Sequence, residues 1–268
     1  MIQISLHGSC FVGSQCGYDP PKSWEECVRA LSDYFLPIET FHQRFEELIC
    51  HVKKLGYERM DVWQPAELNW QWATQKHIEI AKSVIYKHGM KISSLAGEFG
   101  ETRVEFLTAC HLAQGIGAPI LSGTTALYLT DRPFVINSLE RYNLKLAIEN
   151  EIELTAAEML KKIGDTGNGR IGTAIDTGWY ATHGYDVLSA INELKNHIFH
   201  VHLKDVYPGE EHINCGYGKG CVPLKECVFA LKDIGYSGVL SVENHNLDHD
   251  PDQEMIGGRK LVEEWITQ

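Results

Sequence analysis

The chain has 268 residues, 44% of them hydrophobic, which is enough for a large core and excludes a globally disordered protein. Its formal net charge of -12 argues against a sequence-independent grip on nucleic acid, which depends on lysines and arginines neutralising phosphates. The start, Met1-Ile-Gln-Ile-Ser-Leu-His7, has neither a basic segment nor a long apolar one, no run approaches a membrane span, and the eight cysteines form no Cys-x-x-Cys pair. A cytoplasmic protein with reduced thiols and no membrane partner is therefore expected.

A first strand is expected over 2–9, with Ile4 and Leu6 on one side and Ser5 and His7 on the other. Residues 10–39 then read as an inserted loop with a short helix, opened by the capping-box pattern Ser23-Trp-Glu-Glu26. Thr40-Phe-His-Gln43 is expected to open the next helix, whose Phe41, Phe45, Leu48, Ile49 and Val52 share one face, and Gly56 stops it. Strand 2 is expected over 59–64 with a helix over 73–87, strand 3 over 90–96 with a helix over 102–114, and strand 4 over 119–122 with a helix over 132–142. Four more apolar runs follow, each leading through turn residues to a helical stretch; Thr155-Ala-Ala-Glu158 is a second capping box, one helix follows Pro223 and ends at Gly235, and the last covers 252–266. Eight strands alternating with helices imply a right-handed parallel (β/α)8 TIM barrel as one domain over 1–268, with a doubly wound open sheet as the alternative.

The four later runs carry the chemistry. They are Leu144-Lys-Leu-Ala-Ile-Glu149, Ile171-Gly-Thr-Ala-Ile-Asp176, His197-Ile-Phe-His-Val-His202 and Gly238-Val-Leu-Ser-Val-Glu243, and each ends in a potential metal ligand. Alternate side chains of a strand point to opposite faces. Glu149 shares its parity with Ala147, Asp176 with Ala174, His202 with His200 and Glu243 with Ser241, so all four face away from the apolar, helix-covered side. In a parallel barrel these strand ends lie side by side. Three carboxylates and an imidazole suit one divalent cation: Mn²⁺, Mg²⁺, Co²⁺ or Zn²⁺.

Other residues share that rim. His7, Trp63 and Glu98 end strands 1, 2 and 3, and Trp63 is placed to stack on a sugar or to pack within the protein. Lys204 has the parity of His202 and is expected further out, as a contact for a substrate oxygen or a rim salt bridge with its neighbours, while His200 reads as a core histidine one layer deeper. Glu151, His183 and His212 lie in loops expected to face the site. The run Gly216-Tyr-Gly-Lys-Gly220 matches no phosphate-binding pattern and reads as a flexible turn. A cation flanked by two glutamates suits proton transfer α to a carbonyl through a metal-stabilised enediolate, with one carboxylate taking the proton and the other returning it.

The segments Leu146-Ala-Ile-Glu-Asn150, Ile175-Asp-Thr-Gly178, His200-Val-His-Leu-Lys-Asp205 and Val239-Leu-Ser-Val-Glu-Asn244 resemble those of the xylose isomerase-like barrel superfamily of sugar phosphate isomerases and epimerases. The resemblance implies one divalent metal, often Mn²⁺, held by Glu149, Asp176, His202 and Glu243, with Glu149 and Glu243 as the acid/base pair. It also implies a sugar or polyol substrate and a homodimer or homotetramer. Ketose 3-epimerases of the superfamily usually carry a histidine three residues after the aspartate and an arginine six after the metal histidine, where this chain has Trp179 and Pro208. That departure speaks against a free-ketose 3-epimerase. A dehydratase resembling those of inosose or dehydroshikimate is the alternative, and a sugar binder without turnover is a third reading. The zinc site of endonuclease IV would need more histidines in other loops, which argues against DNA repair.

Overall fold

The computed structural model describes residues 2–18 and 22–268; residues 19–21 of the expected insertion lie outside the described residues. Eight parallel strands among them close into a barrel: β1 Gln3–His7, β2 Arg59–Trp63, β3 Lys91–Glu98, β4 Ile120–Thr124, β5 Lys145–Glu149, β6 Ile171–Asp176, β7 Ile198–Leu203 and β8 Val239–Val242. Each strand pairs with its neighbours in sequence and β8 pairs with β1, so the sheet has no free edge. The open-sheet alternative is thereby excluded. Around the barrel run α1 Trp24–Phe35, α2 Ile38–Lys54, α3 Gln75–His88, α4 Arg103–Ile116, α5 Leu127–Thr130, α6 Arg132–Tyr142, α7 Ala156–Ile163, α8 Thr177–Thr182, α9 Val187–Leu194, α10 Leu224–Asp233 and α11 Asp252–Thr267. No described helix is long and apolar enough to cross a membrane.

The core lies between strands and helices, where Leu6, Met60, Leu95, Leu121, Leu146, Ile175, Val201 and Leu240 are wholly buried. On α2, Phe41, Phe45, Ile49 and Val52 are completely buried on one face, each burial contributing about 1.5–3 kcal/mol. The opposite, inward parity of the strands carries Ser5, Ser94, Ser122, Ala147, Ala174 and Ser241. These small side chains leave the barrel axis to larger polar groups from other strands.

Capping explains where most helices begin. The Ser23–Glu26 box forms with both reciprocal bonds, and so does one at Thr102–Glu105. At Thr155 only half of the expected box is present: its hydroxyl accepts from Glu158 N, but the Glu158 carboxylate accepts from Leu154 N. Thr40 does not open α2. The helix starts earlier, after Pro37, and Thr40 sits in its first turn with its hydroxyl donating to Pro37 O. Strands 3 and 4 run two residues beyond their expected ends, to Glu98 and Thr124, whereas strand 1 stops at His7, which caps a following 3-10 turn.

Strand 4 passes β3 unusually closely. Gly97 and Gly123 are register partners with φ of 139° and 142°, a region that residues with a Cβ avoid. A Cβ on Gly123 would collide with the Gly97 carbonyl. Gly123→Ala is therefore expected to lower the unfolding free energy by about 2–4 kcal/mol. Denaturant unfolding measures it, and a loss below about 0.5 kcal/mol would show that the two strands separate at little cost.

Candidate metal centre

The carboxyl ends of β5, β6, β7 and β8 bring Glu149, Asp176, His202 and Glu243 to one point. One ligating atom from each lies within 4.8 Å of all the others. Asp176 and His202 are direct register partners across β6 and β7, aided by a shift between Thr173 and Ala174. Glu149 pairs with Ala174, and Ser241 rather than Glu243 pairs with His202; such offsets are the stagger that closes a barrel.

Neighbouring groups fix each ligand. Asn150 clamps β6 from β5, its amide donating to Asp176 O at 3.0 Å and its carbonyl accepting from Asp176 N at 2.7 Å. Asp176 Oδ1 caps α8, accepting from Gly178 N and Trp179 N at 2.7 and 3.1 Å. His202 Nε2 lies 3.2 Å from Ser122 Oγ, which turns Nδ1 toward Glu149 Oε1 at 3.0 Å and Glu243 Oε2 at 3.4 Å. Such an outer hydrogen bond fixes the tautomer of a ligating histidine. Ser9 Oγ donates to Glu243 Oε1 at 3.3 Å and stands 2.6 Å from His7 Nδ1.

The donor set fits a divalent ion. Bonds of about 2.0–2.2 Å need donors no more than about 4.4 Å apart, close to the spacing present. Asp176 Oδ2 and Glu243 Oε2 are buried and accept from no main-chain group; their near neighbours are the Lys204 ammonium and His202 Nδ1, respectively. Lys204, expected further out, is instead buried among these side chains: its Nζ lies 2.8 Å from Asp176 Oδ2 and 2.9 Å from Glu243 Oε1. Its stem is long enough to reach back from the strand end into the cluster.

The electrostatics reflect this crowding. Burial pushes the Asp176 carboxyl up to about 6 against the pull of Lys204. Burial also opposes charge on Glu149 and Glu243, but the pull of neighbouring groups prevails: His202 holds Glu149 below its usual range, and His7 and Lys204 hold Glu243 well below. Burial disfavours an imidazolium at His202, yet Glu149 overrides it and raises that group to about 10.

The remaining expected residues divide. His7 packs on His202 with ring centroids 4.7 Å apart. Trp63 is buried, edge-on to Trp24 of α1 at 5.6 Å, and Trp24 also meets His245 at 4.7 Å, so the inserted helix roofs this side of the mouth. Glu98 and Glu151 are exposed on the rim, where burial and the charges of Glu149 and Glu98 raise Glu151. His183 and His212 both stack on Trp179, His212 the closer at 3.6 Å and 7°. The glycine-rich run is neither free nor a phosphate cradle: Gly218 N and Gly220 N donate to Asp205 Oδ2, and Val222 N donates to Oδ1. Asp205 is thus a loop organiser and forms no salt bridge with Lys204. His200 is the core histidine expected, with Nε2 3.0 Å from Asp61 Oδ2 beneath the centre.

Four residues near the centre escaped the sequence reading: Asp61, Glu67, Ser9 and His245. Asp61 betrays itself only by its inward parity in an otherwise apolar run, and His245 by standing two residues past a ligand. The pattern of the family described as xylose isomerase-like TIM barrel matches residues 50–264. An uncharacterized protein, MJ1311, of Methanocaldococcus jannaschii is 26% identical over 142 residues, 49% of this chain and 46% of that protein; the chain thus spans under half the length of this relative. Among solved structures, D-allulose 3-epimerase from Methylomonas sp. superposes with a TM-score of 0.70 at 12% identity, over 98% of each chain. The probable 3-DHS dehydratase AsbF from Bacillus anthracis gives 0.63 at 13% identity over 98% of this chain and 99% of its own. The IolI protein with a bound zinc atom gives 0.66 at 16% identity, covering 84% and 92%.

Glu67 offers a test of how burial acts on the carboxyls near the centre. Its Oε2 accepts from Trp63 N at 2.8 Å, its Oε1 has no partner, and burial raises the group to about 8. A carboxyl raised on folding holds its proton longer in the folded state, so stability falls as pH rises from about 4.5 to about 8. Glu67→Gln, which keeps the acceptor for Trp63 N, should flatten that part of the stability profile and stabilise the protein at pH 8. Thermal melts across this window check it; an unchanged slope would mean that Glu67 ionises freely.

Proposed function

Because the chain belongs to the xylose isomerase-like TIM-barrel family, we propose that it is a divalent-metal-dependent isomerase or epimerase of a sugar or sugar-like polyol, using Glu149 and Glu243 as its acid/base pair. The observation that carries this reading is the convergence of Glu149, Asp176, His202 and Glu243 at the barrel's open end. A bound divalent ion would supply positive charge to the oxygens of the substrate where negative charge develops. Glu149 projects from β5 and Glu243 from the end of β8, on either side of His202, so a substrate carbon between them can lose a proton to one and regain it from the other. Glu149 is the more exposed of the two, with 23% of its side chain accessible against 5% for Glu243. Exchange with solvent is therefore easier at Glu149. His202 and Asp176 hold the cation's position, and the oxygen-rich donor set accommodates Mn²⁺ as well as Mg²⁺, Co²⁺ or Zn²⁺.

Trp179 and Pro208 favour a second reading. They remove the polar contacts expected of a free-ketose 3-epimerase, and loss of water from the carbon next to the abstracted proton needs the same base and the same charge. This dehydratase reading shares its site with the first.

Incubation with ketoses and inososes in deuterated water separates the two. The isomerase reading expects deuterium α to the carbonyl without loss of water; an unsaturated ketone would indicate the lyase, and no exchange with any compound despite binding would sink both in favour of a sugar binder. Glu243→Gln and Glu149→Gln are each expected to lower kcat by about 10²–10⁴ while ligand binding persists. Thorough chelation should abolish turnover and Mn²⁺ restore it.

A further inference from the structure

We propose that Lys204 is a built-in cation that closes this site while no metal is bound and must release Asp176 for a divalent ion to enter. The inference rests on the metal centre and not on the sugar chemistry assigned to it. For Lys204 the competition is confined to one oxygen. Asp176 Oδ1 is committed to two main-chain N–H groups of α8, which leaves Oδ2 as its only ligating atom, and the Lys204 ammonium lies 2.8 Å from it. Glu243 has no such conflict. Its Oε1 faces Lys204, Ser9 and His245, while Oε2 has no hydrogen-bond donor and remains open.

The lysine is held in place by design of its surroundings. Its main chain is gripped by Thr177, whose hydroxyl accepts from Lys204 N at 2.9 Å and donates to Lys204 O at 2.8 Å. Its stem lies along Gly178, where an added Cβ would stand 3.0 Å from Lys204 Cγ and Cδ. With the backbone pinned, only the side chain can yield. A divalent ion on Oδ2 would lie within about 5 Å of an ammonium still in place, and two like charges at that spacing in a buried site repel strongly. Release leaves the ammonium on Glu243 Oε1, with N–H groups freed toward the mouth.

Chelator-stripped wild-type protein, Lys204→Met and Lys204→Arg are compared by calorimetric titration with Mn²⁺ and by thermal melting with and without it. Lys204→Met should melt lower without metal, bind Mn²⁺ about tenfold tighter and gain more thermal stability from it than wild type does. Lys204→Arg, which keeps the charge, should bind no tighter than wild type. Equal or weaker binding by Lys204→Met would overturn the proposal, since the lysine would then support the metal-bound form. If that variant does not stay folded without metal, a structure of wild type with Mn²⁺ decides: Nζ beyond about 3.5 Å from Oδ2 is expected, and an unbroken contact refutes it. Should neither wild type nor Lys204→Met bind Mn²⁺, the metal centre itself fails, whereas absence of sugar turnover leaves the inference untouched.

Discussion

Three carboxylates converge in the mouth of this barrel, two of them buried and Glu149 only partly exposed, and they can remain ionised only if positive charge is delivered to the same point. Burying an unpaired carboxylate costs several kcal/mol, and three together repel one another as well. Two cations answer this in the structure, the His202 imidazolium and the Lys204 ammonium. Most of what surrounds the centre serves to hold these groups at fixed separations. Asn150 ties the end of β6 to β5, Ser122 orients His202, and Ser9 and His245 engage the outer oxygen of Glu243. Without that frame the carboxylates would relax apart and the concentration of charge would be lost.

The barrel interior continues the same logic one layer down. Small inward residues such as Ser5, Ser94, Ala147, Ala174 and Ser241 leave room for His7, His200 and His202, which pack edge to face. Asp61 sits among them, wholly buried, and is held down to about 2: burial works against its charge, but His200, His7 and His202 outweigh it. Several oxygens of this layer, including Ser5 Oγ, Ser94 Oγ and Ser241 Oγ, find no protein partner. A conventional barrel core would fill the space with branched apolar side chains. Here apolar packing is left to the outer face of the strands, and the axis is given over to polar support for the site.

The barrel and the convergence of Glu149, Asp176, His202 and Glu243 at its mouth were legible in the sequence because both depend on parity and strand order, which are local. Glu149, Asp176, His202 and Glu243 each stand at the end of an apolar run with small residues on the same side, and that is sufficient to place them. Lys204 was legible as a neighbour but not as a member. Its position is one inward step past His202, and only the length and direction of its side chain carry it back among the carboxylates. The role of Gly216–Gly220 was hidden for a different reason: the anion its amides wrap is Asp205, from the same loop, so the run reads as a flexible turn until both ends are seen together. The start of α2 was misread at Thr40 because a local capping pattern stood beside Pro37, whose extended conformation had already begun the helix.

The rim formed by α8 and the loop after β7 differs in kind from the centre beneath it. Trp179 lies flat against His212, and Thr182 holds His212 Nδ1 at 2.8 Å. Burial and the nearby Lys204 push His212 down to about 3, so it is neutral at pH 7, with Nε2 buried and unpartnered. A neutral imidazole backed by an indole offers a hydroxyl one hydrogen bond and an apolar face; a histidine and arginine pair would offer charge and several donors. The wall is thus apolar on its indole side and carries one buried, unpartnered nitrogen, while the charge is confined to the layer beneath.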